Sequence, residues 1–304
     1  MKILLLGASG QVGWELQRSL AVLGDVTLAG IDGGTSVAAD FARPEGLQAV
    51  VEAAAPDIVV NAAAHTAVDR CESEPDLAHA INATAPGVLA QAAAARGAWL
   101  VHYSTDYVFD GSGRTPWRED DATGPLSVYG RTKLAGEEAI RASGCRHLIV
   151  RTSWVYGARG DNFAKTMLRL AAERDTLSVV ADQVGAPTGA ELLADATAHM
   201  LRQVTGEAPG AADAGGTYHL AATGECSWHQ NARHVIAYAR ARGRPVRVAD
   251  DAIRALTTAE YPTPAKRPGN SRLDTTKIRR TFGLAVPPWH VGIERALDEM
   301  FQRA

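Results

Sequence analysis

The sequence predicts an α/β chain folded around a doubly wound parallel sheet, with a smaller C-terminal unit, and three observations carry that reading. Short aliphatic runs alternate with Ala-rich helical stretches through the first half, the order of repeated strand-helix units. Each run is nearly continuous in apolar residues, as strands buried on both faces are, and gives way to Gly, Asn, Ser or Thr. After about residue 155 the strands become sparser and the loops richer in Gly and Pro.

In chain order, "KILLLGA" reads as the first strand and "QVGWELQRSLAVLG" as the first helix. "DVTLAGI", "DIVVNAAA", "AWLVHYST" and "HLIVRTS" follow as strands. Between them "PEGLQAVVEAAAP" and "DLAHAINATAPGVLAQAAAARG" carry helical spacing, and each closes on Gly or Pro. Residues 205 to 217, "TGEAPGAADAGGT", read as a surface loop. The Pro-punctuated segment 260 to 273 cannot be helix throughout. The expected division is 1–155 for the sheet domain and 156–304 for the smaller domain, with some later segments returning to the sheet.

Composition narrows the setting. With 304 residues, 46% of them hydrophobic, the chain can bury a large core. A net charge of -3 provides no broad basic field, so nucleic acid and anionic membrane are not expected partners. Cys71, Cys145 and Cys226 are an odd number at wide spacing, which fits neither a disulfide framework nor a metal clip. The N-terminal aliphatic run is too short for a signal-peptide core, and no run approaches a membrane span. These features suggest a soluble, cytoplasmic protein.

"GASGQVG" places Gly7, Gly10 and Gly13 between the first strand and the first helix, where a dinucleotide-binding turn sits. Gly7 permits the tight turn, Gly10 lets backbone approach a pyrophosphate, and Gly13 lets helix lie against strand. The helix N-terminus then offers N–H groups to the phosphates. This is the nucleotide turn of a Rossmann fold. Its G-x-x-G-x-x-G spacing resembles the extended short-chain dehydrogenase/reductase superfamily. Asp32 can accept a ribose 2'-hydroxyl and favour NADH, whereas Arg43 can meet the 2'-phosphate of NADPH; the choice stays open.

Tyr129 and Lys133 stand four apart on one helical face in "PLSVYGRTKLAGE". Seven tyrosines and five lysines make such a pair expected by chance roughly 0.1 times. An ammonium near the phenol lowers its pKa and suits it to general acid work. Ser104 and Thr105 end the "AWLVHYST" strand, and a hydroxyl there can hold a substrate carbonyl. Thr105, Tyr129 and Lys133 together indicate hydride transfer between a nicotinamide and a carbonyl or alcohol.

Nearly the whole chain resembles one family, the dTDP-4-dehydrorhamnose reductases. The likeness runs through "GQVGWEL", "VVNAAAHTAVDRCESEP", "VHYSTDYVFDG", "RTSWVYG", "APTGAELLAD" and "RPGNSRL". It implies a smaller C-terminal substrate-binding domain and NAD(P)H-dependent reduction of C4 of dTDP-6-deoxy-L-lyxo-4-hexulose, the last step of dTDP-L-rhamnose synthesis. By position it implies that Gly10, Gln11 and Val12 meet the pyrophosphate and that Asp40 and Phe41 lie near the adenine. Ala63, Ala64 and Thr66 flank the cofactor; Thr105, Asp106 and Trp154 bind the sugar. Lys133 holds the nicotinamide ribose and depresses the pKa of Tyr129. Arg267 or Arg272 can grip a diphosphate bidentately. Some members form a homodimer around Mg²⁺, with Glu15 and Glu191 at the matching carboxylate positions, but the residues before Tyr261 lack the serine of that pattern.

Two other readings share the scaffold. Related sugar-nucleotide dehydratases and epimerases use the same Tyr-Lys pair, but the dehydratases place an acidic pair after the strand-end threonine. Here Asp106 is followed by Tyr107. A non-catalytic regulatory protein is the other, and the intact Thr105, Tyr129 and Lys133 argue against it.

Overall fold

The structure, a computed structural model, describes residues 1–31, 36–206 and 211–303. Its centre is a seven-stranded sheet in which every pairing is parallel. The strands are β1 (Lys2–Leu6), β2 (Asp25–Gly30), β3 (Val37–Ala38), β4 (Ile58–Asn61), β5 (Trp99–Thr105), β6 (Arg146–Thr152) and a late strand, Gly216–His219. Across the sheet the order is Gly216–His219, β6, β5, β4, β1, β2, β3. The winding direction reverses between β1 and β4, which opens a crevice at the carboxyl ends of these strands.

Alternation along each strand explains the continuous apolar runs. Ile3 and Leu5, with Ile58, Val60, Val101 and Tyr103, face helix α1 (Gln11–Ala21) and the helix Ala190–Val204. Leu4 and Leu6, with Val59, Leu100 and Ile149, face the helices Leu47–Ala54, Ala85–Arg96 and Val128–Ala142. Both faces are therefore covered, and a polar residue in mid-strand would be stranded without water. A third apolar cluster, including Met167, Val235, Ile236, Ile253, Ile293 and Leu297, holds the later helices together.

Several sequence expectations need adjustment. The "PEGLQAVVEAAAP" helix opens with a 3₁₀ turn, Pro44–Gly46, because Pro44 fixes the entry and has no N–H to donate. The stretch before Pro86 winds as a π-helix over Ala80–Thr84. Of the expected 205–217 loop, residues 207–210 lie outside the described residues, and its end is not loop: Gly216 starts the strand that pairs with β6. Among the described residues no helix is long and apolar enough to cross a membrane.

Candidate active site

The carboxyl ends of β1, β4, β5 and β6 gather most of the expected residues. Gly7 leaves β1 at φ +79°, the left-handed region that glycine adopts without strain. A Cβ on Gly13 would stand 2.0 Å from the Gly7 carbonyl oxygen, so the turn closes onto α1 only because that position lacks a side chain. Gly10 is the N-cap of α1 and brings no side chain to cap it. This cradle fits a dinucleotide pyrophosphate. Gly13→Ala is expected to weaken NADPH binding by at least tenfold, on the order of 1.4 kcal/mol, measured by fluorescence titration.

Around the turn, Gln11 accepts a hydrogen bond from Asn162 at 3.1 Å, and Val12 packs against the sheet core. Ala63 donates its N–H to Asn61 Oδ1 at 3.0 Å, Ala64 is half-buried and Thr66 is exposed. Phe41 is buried, while Asp40 pairs with Arg43 at 2.9 Å. The Arg43 guanidinium in this pair stays largely exposed. Asp32 lies outside the described residues.

Tyr129 and Lys133 rise from the first turns of the Val128–Ala142 helix. Ser127 starts it by accepting the Gly130 N–H at 3.1 Å, and Glu72 accepts the Val128 N–H at 2.8 Å. Lys133 is 1% exposed. Its Nζ donates to the Tyr103 carbonyl at 2.6 Å and lies 3.1 Å from His102 Nε2. Burial brings this lysine down to about 8, against the opposing charge of Glu137. The expected lowering of Tyr129 does not occur here: burial pushes its phenol above the ordinary value, partly offset by the Thr105 hydroxyl. With β5 and His102 as its partners, Lys133 is not the dominant influence on the phenol.

Thr105 ends β5, and its Oγ1 accepts the Tyr107 N–H at 3.2 Å. Asp106 beside it is buried, and burial raises it to about 7 despite the Ser271 and Thr105 hydroxyls. Among the described residues, nothing hydrogen-bonds the buried Asp106 Oδ2 or Thr152 Oγ1. Such orphans are costly unless something further meets them. Tyr107 packs edge-on against Tyr129 with ring centroids 5.4 Å apart.

The segment containing "RPGNSRL" folds onto this edge. Gly185 is the joint: a Cβ there would meet Trp154 at 2.9 Å and Ser271 at 3.0 Å. Trp154 holds φ +49°, costly for a bulky side chain, and stacks on Trp228 at 3.6 Å, which in turn touches Phe163. The structure thus brings Trp154 and Asp106 to the same wall. The two arginines are placed apart. Arg267 is paired bidentately with Asp69 at 3.2 and 2.8 Å, and Arg272 with Glu225 at 2.6 and 3.3 Å.

Glu15 and Glu191 meet electrostatically on α1 and the Ala190–Val204 helix. Burial raises Glu191, opposed by Arg295 and reinforced by Glu15. Among the described residues no cluster of three or more His, Cys, Asp or Glu side chains is arranged to hold a metal. Near Tyr261, Thr257 and Glu260 bond one another, and Thr258 bonds Asp182.

Residues that sequence reasoning missed are Asn61, Asn82, Asp69, Trp228 and Ser271. Asn82 lies in the π-helical stretch and bonds the His65 backbone and Thr132, yet only its polarity inside an Ala-rich helix marks it in the sequence.

The parallel sheet, the glycine turn and the Tyr-Lys helix at its carboxyl edge define the class: a dinucleotide-dependent oxidoreductase of the short-chain dehydrogenase/reductase type. Within that class, the RmlD substrate binding domain family matches residues 1–302, and the chain belongs to that family. It is 54% identical over 301 residues to the dTDP-4-dehydrorhamnose reductase of Salmonella typhimurium, covering 99% of this chain and 98% of the relative. Among solved structures, a dTDP-4-dehydrorhamnose reductase from Clostridium acetobutylicum is 38% identical with a TM-score of 0.87, covering 99% of this chain and all of that one. One from Bacillus anthracis, in complex with NADP, is 35% identical with a TM-score of 0.87, covering 98% of this chain and all of that one.

Proposed function

We propose that this chain reduces the C4 keto group of dTDP-4-dehydrorhamnose with NAD(P)H, giving dTDP-L-rhamnose. The carrying observation is the Thr105–Tyr129 contact at the sheet edge, with Lys133 buried behind it and the glycine cradle opposite. The similar relatives named for this reaction support the substrate, and the NADP-bound relative supports the cofactor.

The nicotinamide, when bound, supplies the hydride for C4. Gly7, Gly10, Gln11, Val12 and Gly13 hold the pyrophosphate, Asp40 and Phe41 border the adenine, and Ala63, Ala64 and Thr66 flank the cofactor. Lys133 holds the ribose. Thr105 hydrogen-bonds the C4 oxygen, and Tyr129 delivers a proton to it from its phenol. The high phenol pKa keeps that proton in place across neutral pH. Asp106 and Trp154 grip the sugar. The region 156–304 mainly forms the sugar-nucleotide side, and Arg267 or Arg272 reaches the diphosphate after exchanging its carboxylate partner. The enzyme works in the cytoplasm, and a homodimer is the assembly we assign.

The dehydratase alternative lacks its second acid. Tyr107 fills that position, and a tyrosine brings no carboxyl to protonate a leaving hydroxyl. The test is loss of 340 nm absorbance with NADPH, then NADH, on the 4-keto sugar nucleotide generated in situ by dehydratase and 3,5-epimerase. Stoichiometric oxidation dependent on both added enzymes is expected. Sugar turnover at constant absorbance points to internally recycled hydride, and cofactor binding without turnover points to a regulatory scaffold.

A further inference from the structure

A chain of buried polar contacts runs from the glycine turn to Lys133, and the reduction as described above leaves it unused. It starts at Gly7, whose position for a Cβ lies 2.5 Å from the Ala63 nitrogen, so the turn and the loop after β4 are in direct contact. Ala63 donates its N–H to Asn61 Oδ1 at 3.0 Å. Because that bond requires an oxygen, it fixes which way the Asn61 amide points. Asn61 Nδ2 then faces His102 Nδ1 at 3.1 Å and donates to it. His102 is 1% exposed, and burial, the larger influence, holds its imidazole well below the usual value; accepting from Asn61 at Nδ1 likewise requires the neutral ring. A neutral imidazole that accepts at Nδ1 carries its proton at Nε2. That N–H points at Lys133 Nζ, 3.1 Å away.

The consequence lies in what Lys133 can then be. An ammonium has only donors to offer, so an imidazole N–H facing it makes no hydrogen bond. An uncharged amine accepts that N–H with its lone pair while still donating to the Tyr103 carbonyl at 2.6 Å. Other groups bear on the lysine from each packed element. Tyr129 and Glu137 share its helix, and the Glu137 carboxylate is matched by Arg151 of β6 and by Arg141. His102 and the Tyr103 carbonyl come from β5, and Asp106 follows that strand. Of these, the Glu137 carboxylate favours the charged lysine, and its pairing with Arg151 and Arg141 offsets that pull.

We propose that His102 is a positioning residue of the reduction, presenting to Lys133 an N–H whose placement is dictated, through Asn61, by the loop beside the glycine turn. The charge of the lysine assigned to the cofactor ribose thereby answers to the backbone that receives the cofactor. The inference rests on the reductase reading for the role of Lys133, but the arrangement itself is measurable without turnover.

The first test is ¹⁵N NMR of histidine-labelled enzyme, with His102 assigned by loss of its signals in His102→Gln. Wild type is expected to show a protonated Nε2 and a bare Nδ1; the reverse pattern overturns the proposal. The second follows the Lys133 Cε shift with pH in wild type and in Asn61→Asp. The new carboxylate keeps the Ala63 N–H and accepts a proton at His102 Nδ1, leaving Nε2 to accept from an ammonium. The Lys133 midpoint is expected to rise by about one pH unit or more. An unmoved midpoint in a variant with unchanged circular dichroism overturns the proposal, since a purely structural Asn61 predicts that result. If wild type fails to reduce the 4-keto sugar, or Lys133→Met turns over normally, the functional reading fails while both NMR outcomes keep their meaning.

Discussion

Tyr129→Phe is expected to lower kcat by about 10²- to 10⁴-fold, the usual contribution of a positioned general acid. Dissociation constants for NADPH should change by no more than about twofold, a factor worth roughly 0.4 kcal/mol. The reasoning separates the ring from its hydroxyl. The ring packs edge-on against Tyr107, a contact phenylalanine preserves, so the fold and the cofactor crevice keep their shape. The hydroxyl contacts Thr105 and, in the proposed reaction, carries the proton that the reduced oxygen must receive. Thr105 can still polarise the carbonyl in the variant, but it cannot replace a phenol as the acid at neutral pH. Single-turnover absorbance at 340 nm alongside equilibrium binding separates the two effects. Unchanged turnover would remove Tyr129 from the chemistry.

Glu137→Ala is expected to cost about 3–5 kcal/mol of stability, because it strands a buried guanidinium. Glu137 is fully buried, one turn beyond Lys133 on the same helical face, and Arg151 is nearly so. The carboxylate accepts Arg151 Nε at 2.8 Å and Nη2 at 2.7 Å, Arg141 at 3.0 Å and Ser104 at 2.6 Å. It therefore ties the Tyr-Lys helix to β6 and to the residue before Thr105. Burial is the largest influence on Glu137 and acts to raise its pKa, yet the partners outweigh it and the folded value lies below the ordinary one. The pH dependence follows in sign. The contribution is present above the unfolded pKa near 4.5 and is lost as pH falls through the lower folded value. Thermal melts should show a fall in Tm on the order of 10 °C at pH 7, narrowing toward acid pH. Equal melting of variant and wild type at pH 7 would contradict the clamp.

How far the sequence could be read depended on how local each signal was. The strands β1, β2, β4, β5 and β6 were legible because burial on both faces writes a continuous apolar run, and Gly7 and Gly13 because only glycine fits those two positions. The proposed trio of Thr105, Tyr129 and Lys133 could be singled out in the sequence because Tyr129 and Lys133 stand four apart on one helix. Partnerships across distant segments were not. Nothing near Arg267 announces Asp69, nearly two hundred residues earlier, and nothing near Lys133 announces that a histidine on β5 would take the place expected of the phenol. Trp228 likewise becomes meaningful only when Trp154 is turned onto it by a left-handed backbone.

The late strand Gly216–His219 means that the chain cannot be cut near residue 155 without breaking the sheet. A fragment ending near residue 155 would leave β6 as a bare edge, with its N–H and C=O groups open to pairing with other chains. It would also uncover Leu16 and Leu20 of α1, which pack against the Ala190–Val204 helix. A nascent chain emerging from the ribosome is in that state until the strand ending at His219 has been made. The half that holds the nucleotide turn must therefore wait, sticky and incomplete, for residues translated long after it.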